Sequence, residues 1–191
     1  MNIQNDLIKF DNLPVSQIGK GTDLYAALCK DLDKADHYDN HRYGKIDSTY
    51  GYPESIVNSK EWPAFLEILK VYIEKAKTHF GIIGTDYKFR QIWANRMHKG
   101  SKVYNHSHSH KSNDKMMVGV LYLEAPAQSG KFAVTTCYNK FLEDWIPPYQ
   151  KTLIAVNTGD LIFHKSTLWH AVGEHQSDEP RTSIIFEIDF A

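Results

Sequence analysis

The chain has 191 residues, a net charge of -1 and 42% hydrophobic residues, a size typical of one domain with a substantial core. The near-neutral charge gives no strong signal for nucleic acid, and no apolar run approaches the roughly 18 residues of a membrane span. The amino terminus lacks a secretory signal pattern, and Cys29 and Cys137 form no CxxC motif. We therefore expect a single cytoplasmic domain over residues 1–191, whose oligomeric state the sequence leaves open.

The first 86 residues are predicted to be mostly helical support and loops. Apolar residues at helical spacing predict one helix within Gly21–Asp36 and a second between an N-cap at Ser59 and Gly81. The segment His37–Pro53 is rich in Gly, Asn, Asp and Tyr without periodicity. We predict a long loop there, of the kind that often carries function.

Residues 87–191 have β character. Alternating or apolar segments separated by turn residues predict about eight short strands. These are Tyr87–Met97, Lys102–His108, Met116–Glu124, Lys131–Cys137, Thr152–Val156, Asp160–Phe163, Trp169–Gly173 and Arg181–Phe190. Many short strands without intervening helices favour a sandwich or barrel over a parallel sheet. We expect a mainly β core with the N-terminal helices packed against it.

One segment, Asn105–Asp114, reads NHSHSHKSND. In an extended strand, His106, His108 and His110 would project from one face, with neighbours about 7 Å apart. Neutral imidazole binds first-row metals such as Fe, Zn, Ni and Cu. Short His-rich tracts can also be solvated loops or adventitious metal binders. We interpret the segment as one half of a metal site, whose other half must come from elsewhere in the chain.

His170 and Arg181 are the candidates for that other half. His170 follows Trp169 between two apolar strands, where a lone histidine could also be an ordinary core residue. Arg181 opens the last strand and is well placed to bind a carboxylate, although a surface arginine would fit the same position. His164 and His175 are expected at the surface or behind the ligands.

The order of these residues resembles the iron(II)/2-oxoglutarate-dependent oxygenases. The resemblance runs through His108-Ser109-His110, a distant His170, and Arg181 followed by Ser183. It is closest to small 2OG-Fe(II) oxygenases of marine bacteria and phages, through Trp93-Ala94-Asn95, Asn105, Gly119-Val120 with Tyr122, Pro126 with Ser129-Gly130, Gly159–Phe163 and Ser166–His170. It covers Tyr87–Ala191 and implies a double-stranded β-helix, the jelly-roll or cupin-like fold, with the N-terminal helices packed on one sheet.

The resemblance also implies a cofactor, a co-substrate and a reaction. Fe(II) would be bound by His108, His110 and His170. Because His110 stands where the larger superfamily has a carboxylate, Asp114 and His106 remain alternates for the third ligand. Arg181 and Ser183, with Tyr122, would bind 2-oxoglutarate, and Trp93 and Asn95 would line the substrate pocket.

The implied reaction consumes O2 and 2-oxoglutarate and releases succinate and CO2, usually with hydroxylation of the substrate. That substrate would be a small molecule or a peptide of unknown identity. His37–Pro53 and Tyr138–Tyr149 are candidates for a lid over it.

Two other functions fit the same fold. A cupin-like metalloenzyme with a three-histidine site would bind metal but need no 2-oxoglutarate, and it leaves Arg181 unexplained. A non-enzymatic jelly-roll module would use the histidines only as surface and core residues. A separation of more than about 8 Å between His108 and His170 would favour the module, because two ligands of one ion cannot lie so far apart.

Overall fold

The computed structural model describes residues 5–34, 44–50, 58–108, 115–135 and 151–191. These contain helix α1 (Asp23–Lys34), helix α2 (Trp62–Phe80) and a 3-10 turn at Val15–Gln17. The strands are β1 (Leu7–Phe10), β2 (Ile46–Ser48), β3 (Tyr87–Met97), β4 (Val103–His106), β5 (Met116–Glu124), β6 (Phe132–Thr135), β7 (Lys151–Ile154), β8 (Leu161–Lys165), β9 (His170–Val172) and β10 (Arg181–Phe190).

The strands form two antiparallel sheets. The major sheet has the order β1-β8-β5-β10-β3-β2, and the minor sheet has the order β4-β9-β6-β7. Strands distant in sequence lie side by side in both sheets. The arrangement is a double-stranded β-helix, which confirms the fold that the sequence predicts.

Two apolar clusters position the site. The larger cluster packs α1 and α2 against the outer face of the major sheet, through residues such as Leu28, Phe65 and Phe186. The smaller cluster has Trp93, Val120 and neighbouring residues of the two sheets. Because side chains alternate along a strand, each strand of the major sheet can contribute to both clusters. The second cluster adjoins the site described below.

The helices confirm the N-terminal prediction. Helix α2 begins at Trp62 with Glu61 as its N-cap, so the N-cap predicted at Ser59 is wrong by two residues, although Ser59 Oγ accepts a hydrogen bond from the Trp62 backbone N–H at 3.2 Å. It ends at Gly81, whose φ of 66° is a left-handed conformation that glycine adopts without steric cost. Neither helix in the described ranges combines the length and hydrophobicity of a membrane span.

Two edge strands were not predicted. β1 pairs with β8, and β2 pairs with β3. The prediction of an uninterrupted loop over His37–Pro53 is therefore wrong at Ile46–Ser48, which the major sheet orders by backbone pairing. The rest of that segment is described only at residues 44–50, and the candidate lid Tyr138–Tyr149 lies outside the described residues.

Candidate active site

Three histidines converge between the two sheets. His106 is the last residue of β4, His170 is the first of β9, and the register of these strands places the two opposite each other. His108 follows β4, and its backbone N–H donates to the Ser166 carbonyl at 2.9 Å. One nitrogen from each ring lies within 4.8 Å of the other two. This separation allows one ion to contact all three imidazoles.

Each of the three rings is oriented by a hydrogen bond from Nδ1. His106 donates to the Tyr104 carbonyl at 2.8 Å, and His170 donates to the Leu168 carbonyl at 3.0 Å. His108 donates to the Glu187 carboxylate at 2.9 Å. Because these acceptors carry no proton, Nδ1 must be the protonated nitrogen of a neutral ring. In such a ring Nε2 is the unprotonated nitrogen, which is the atom that binds a metal in protein metal sites generally.

Burial lowers the pKa of two histidines at the site. Desolvation, and then the neighbouring His164, His106 and His108, hold the pKa of His170 well below its usual value. A fourth histidine, His164, lies with its ring centroid 4.4 Å from that of His170. Burial lowers the pKa of His164 to about 3. Neutral imidazole is the form that binds metal, so the lowered pKa favours the metal-binding form of His170.

Arg181 is a buried cation in the same cavity. It is 3% exposed, and desolvation lowers its pKa. Nη1 donates to the Gly130 carbonyl at 2.7 Å and Nη2 contacts the Met97 sulfur at 2.7 Å, while Nε has no partner within the described part of the chain. None of the described carboxylates pairs with it. A buried guanidinium with an unused donor is suited to bind an anion.

A row of polar side chains adjoins Arg181. The register of the major sheet aligns Ser183 with Asn95 on one side and with Tyr122 on the other. The Tyr122 hydroxyl is buried and has no partner among the described residues. Buried hydroxyl groups normally have hydrogen-bond partners. The unpaired hydroxyl and the unpaired Arg181 Nε therefore both indicate a polar ligand that binds between the strands.

Aromatic residues form one wall of the cavity. The Trp93 ring lies 6.0 Å from the His108 ring and packs edge-to-face against Tyr50, with centroids 5.2 Å apart. Tyr50 is 44% exposed, so this wall extends to the surface. Next to it, Ser48 Oγ donates to Asn95 Oδ1 at 2.6 Å, which orients the Asn95 amide.

The structure brings together eight of the ten site residues that the sequence predicts. One cavity is lined by Trp93, Asn95, His106, His108, Tyr122, His170, Arg181 and Ser183. The other two, His110 and Asp114, lie outside the described residues. Among the described residues the cluster is His106, His108 and His170, so His106, predicted as an alternate, takes part in it.

Other residues near the site were missed or misplaced. No role was predicted for Glu187, although an acid within an otherwise apolar part of a strand can indicate a buried partner. The sequence placed His164 and His175 either at the surface or behind the ligands. Both are buried, which excludes the surface, and the His164 ring lies 4.4 Å from that of His170. His175 donates from Nε2 to the Glu179 carbonyl at 2.7 Å.

Comparison with protein families agrees with this geometry. A family model described as "Putative 2OG-Fe(II) oxygenase" matches residues 91–187, just over half of the chain. The chain belongs to this family. Among the described residues, the match includes the three clustered histidines, Arg181 and Glu187. None of the curated proteins compared with this 2OG-Fe(II) oxygenase family member matches it.

Solved structures share the fold of this family member. HygX from Streptomyces hygroscopicus with nickel, 2-oxoglutarate and hygromycin B bound has a TM-score of 0.69 and 13% identity, covering 99% of this chain and 84% of HygX. A prolyl-4-hydroxylase from Pseudomonas putida has a TM-score of 0.63 and 16% identity, covering 97% and 93%. The epimerase SnoN from nogalamycin biosynthesis has a TM-score of 0.66 and 11% identity, covering 99% and 78%. At these identities the likeness shows the fold alone.

Proposed function

We propose that the protein is an Fe(II)- and 2-oxoglutarate-dependent dioxygenase that hydroxylates a small molecule or a peptide in the cytoplasm. The observation that carries this proposal is the buried Arg181, which has no acidic partner in the described structure and lines the same cavity as the three histidines. A metal site alone would not require a buried cation, whereas a metal site that also binds a dicarboxylic co-substrate would require one.

The residues fit the metal that the proposal requires. His106, His108 and His170 would hold Fe(II), since one nitrogen of each ring lies within 4.8 Å of the other two and a hydrogen bond from Nδ1 orients each ring. His110 and Asp114 remain candidates from the sequence for a further or alternative ligand. When bound, the metal and 2-oxoglutarate supply the oxidative chemistry, in which O2 is consumed and succinate and CO2 are formed.

The other residues of the cavity bind and orient. Arg181 would pair with the far carboxylate of 2-oxoglutarate, and the Tyr122 hydroxyl would donate to the same group. Ser183, beside Tyr122 in the sheet, would contribute a hydroxyl. The apolar side chains that line the cavity, among them Val120 and Phe132, limit the access of water.

The substrate would enter along the aromatic wall. Trp93 lies close to His108, and Asn95 has its carbonyl oxygen engaged by Ser48, which leaves the amide N–H groups to donate. We propose that both residues contact the substrate. Hydroxylation is the outcome we favour, although the neighbouring structures include an epimerase as well as a hydroxylase. The closer likeness to proteins of marine bacteria and phages stays a prediction.

The alternatives make different predictions. The cupin-like metalloenzyme without 2-oxoglutarate shares the three histidines but gives Arg181 no ligand. The non-enzymatic module would be favoured by a His108–His170 separation above about 8 Å, whereas their ligand atoms lie within 4.8 Å.

Anaerobic titration with Fe(II), with and without 2-oxoglutarate, tests the proposal. We expect a weak visible charge-transfer band that needs both components, is absent in His170→Ala, and requires more 2-oxoglutarate in Arg181→Gln. His79→Ala, a change at an exposed histidine of α2, is the control that should keep the band. Bound iron without a band would support the cupin-like alternative, and absence of bound metal would support the non-enzymatic module.

A further inference from the structure

The three clustered histidines differ in the group that accepts the hydrogen bond from Nδ1. His106 and His170 donate from Nδ1 to neutral backbone carbonyls, whereas His108 donates to a carboxylate oxygen of Glu187 at 2.9 Å. Hydrogen bonds to an ionised acceptor are roughly twice as strong as those between neutral groups. Of the three hydrogen bonds from Nδ1, the one from His108 is therefore the strongest.

Glu187 is held in a position from which it can act on His108. It lies on β10, is 2% exposed, and is flanked in the sheet by Gln91 and Val118. Its second oxygen faces Arg90, whose Nε is 3.8 Å away and whose side chain is 46% exposed. A buried carboxylate requires hydrogen-bond partners, and the closest one among the described residues is the His108 ring.

We propose that Glu187 is a positioning residue that tunes the metal through His108. The carboxylate fixes the Nδ1–H form of the ring, holds its orientation, and makes Nε2 a stronger donor to the metal. It also places a carboxylate next to a cluster of three imidazoles. This inference rests on the metal site of the proposed function, and it assigns to that site a residue on a strand that contributes no ligand to the cluster.

The test is to replace Glu187 by a residue of the same shape without the charge. Glu187→Gln keeps an oxygen that can accept from His108. We expect it to weaken Ni(II) binding to the otherwise intact protein by roughly 10- to 100-fold, the range found for outer partners of metal ligands. We also expect the visible absorption band of the Co(II)-loaded protein to shift. A merely structural role for Glu187 would not move that band while the metal-free fold is unchanged.

Two further variants act as controls. Glu124→Gln removes the same charge from a half-buried position on β5 that bonds to Tyr25 and Thr182, and it should leave both readouts unchanged. Arg90→Met removes the cation facing Glu187 without touching His108. It should tighten Ni(II) binding by about twofold, because exposed ion pairs have small effects. Since Arg90 is half exposed, this variant also tests the inference if Glu187→Gln does not fold.

The outcomes separate the inference from the proposed function. Wild-type protein that binds neither Ni(II) nor Co(II) would overturn both. Wild-type binding with unchanged affinity and spectrum in Glu187→Gln would overturn the inference alone, as would weaker binding in Arg90→Met.

Discussion

The guanidinium of Arg181 lies over the ring of Tyr122, with its central carbon 5.4 Å from the ring centroid. This is the separation of a cation–π contact, and it fixes the side chains of two neighbouring strands relative to each other. Both residues carry a polar atom without a partner in the described structure, Nε in Arg181 and the hydroxyl in Tyr122. The pair is thus rigid but has unsatisfied hydrogen-bonding capacity.

Tyr122→Phe separates ligand binding from stability. Removal of an unpaired buried hydroxyl should leave the free energy of unfolding unchanged or raise it by about 1 kcal/mol. The apparent Kd for 2-oxoglutarate should rise about tenfold, the effect of losing one hydrogen bond to a charged group. Urea unfolding and titration of the Fe(II) protein measure the two effects. A destabilised variant with unchanged affinity would show that the hydroxyl is bonded within the protein.

The ligand set can be determined by single substitutions. We expect His106→Ala, His108→Ala and His170→Ala each to lower Ni(II) affinity by at least about 100-fold, because each removes one of three clustered donors. His110→Ala and Asp114→Ala test the two candidates that the sequence leaves open, since a loss of affinity in either variant would add that residue to the ligand set. Calorimetric titration checks each variant. Loss in His110→Ala with retention in His106→Ala would instead support the ligand pair His108 and His110.

Metal removal should lower thermal stability. A metal at one hundred times its Kd adds about 2.7 kcal/mol to the folded state. In a domain of this size, that corresponds to roughly 5–10 °C in Tm. Differential scanning calorimetry with Ni(II), and then with excess chelator, measures the difference. His170→Ala should show no response to the metal, and a response equal to that of wild type would contradict the proposed site.

The metal-free protein should lose stability in mild acid, in part through His175. Burial, and then the interactions with Arg181 and His98, lower the pKa of this imidazole. The unfolded ring binds a proton near its usual pKa of about 6.5, whereas the folded ring binds it only at lower pH. The free energy of unfolding is therefore highest above about pH 6.5 and falls below it, by up to about 1.4 kcal/mol per pH unit for one group.

His175→Gln isolates this contribution, because His164 and His170 have lowered pKa values and act in the same direction. The difference in unfolding free energy between wild type and His175→Gln should change as the pH falls from 7.5 to 5, on the order of the slope given above. Urea unfolding at several pH values provides the data. Parallel profiles would rule out a shifted pKa at His175.

Phe186, the residue opposite Gly119 in the sheet, leaves no room for a side chain at position 119. Gly119 lies opposite Phe186 in the register of β5 and β10, and a Cβ at this position would overlap the Phe186 ring. Gly119→Ala should destabilise the protein by about 1–3 kcal/mol, as overpacked cores do. Adding Phe186→Leu should recover part of that loss, which a double-mutant cycle in urea would show as non-additivity. Additive effects would mean that the alanine is accommodated elsewhere.

The sequence predicts the long strands better than the short ones. β3, β5 and β10 have the predicted bounds, because each is a run of nine or more residues with a clear apolar or alternating pattern. β1 and β2 have four and three residues, too few to show a period. Their pairing with β8 and β3 comes from tertiary contacts that no local pattern contains.

The sequence predicts the type of site, a cluster of histidines, more securely than it predicts which of those histidines the strand pairing brings together. His106, His108 and His110 alternate, so any adjacent two of them could lie beside His170. The choice depends on how β4 pairs with β9, where His106 faces His170. Glu187 was missed for a related reason, since its hydrogen bond to His108 joins residues that are 79 positions apart.

Arg181, Ser183 and Glu187 belong to one strand, β10. Under the proposed function, this strand contacts the far end of the co-substrate and also supports the metal through His108. All three residues are separated by even numbers of positions, so their side chains project from the same face of the strand. A slip of β10 by one residue would turn that face away from the cavity. The anion-binding end and the metal-supporting end would then be lost together, since one backbone carries both.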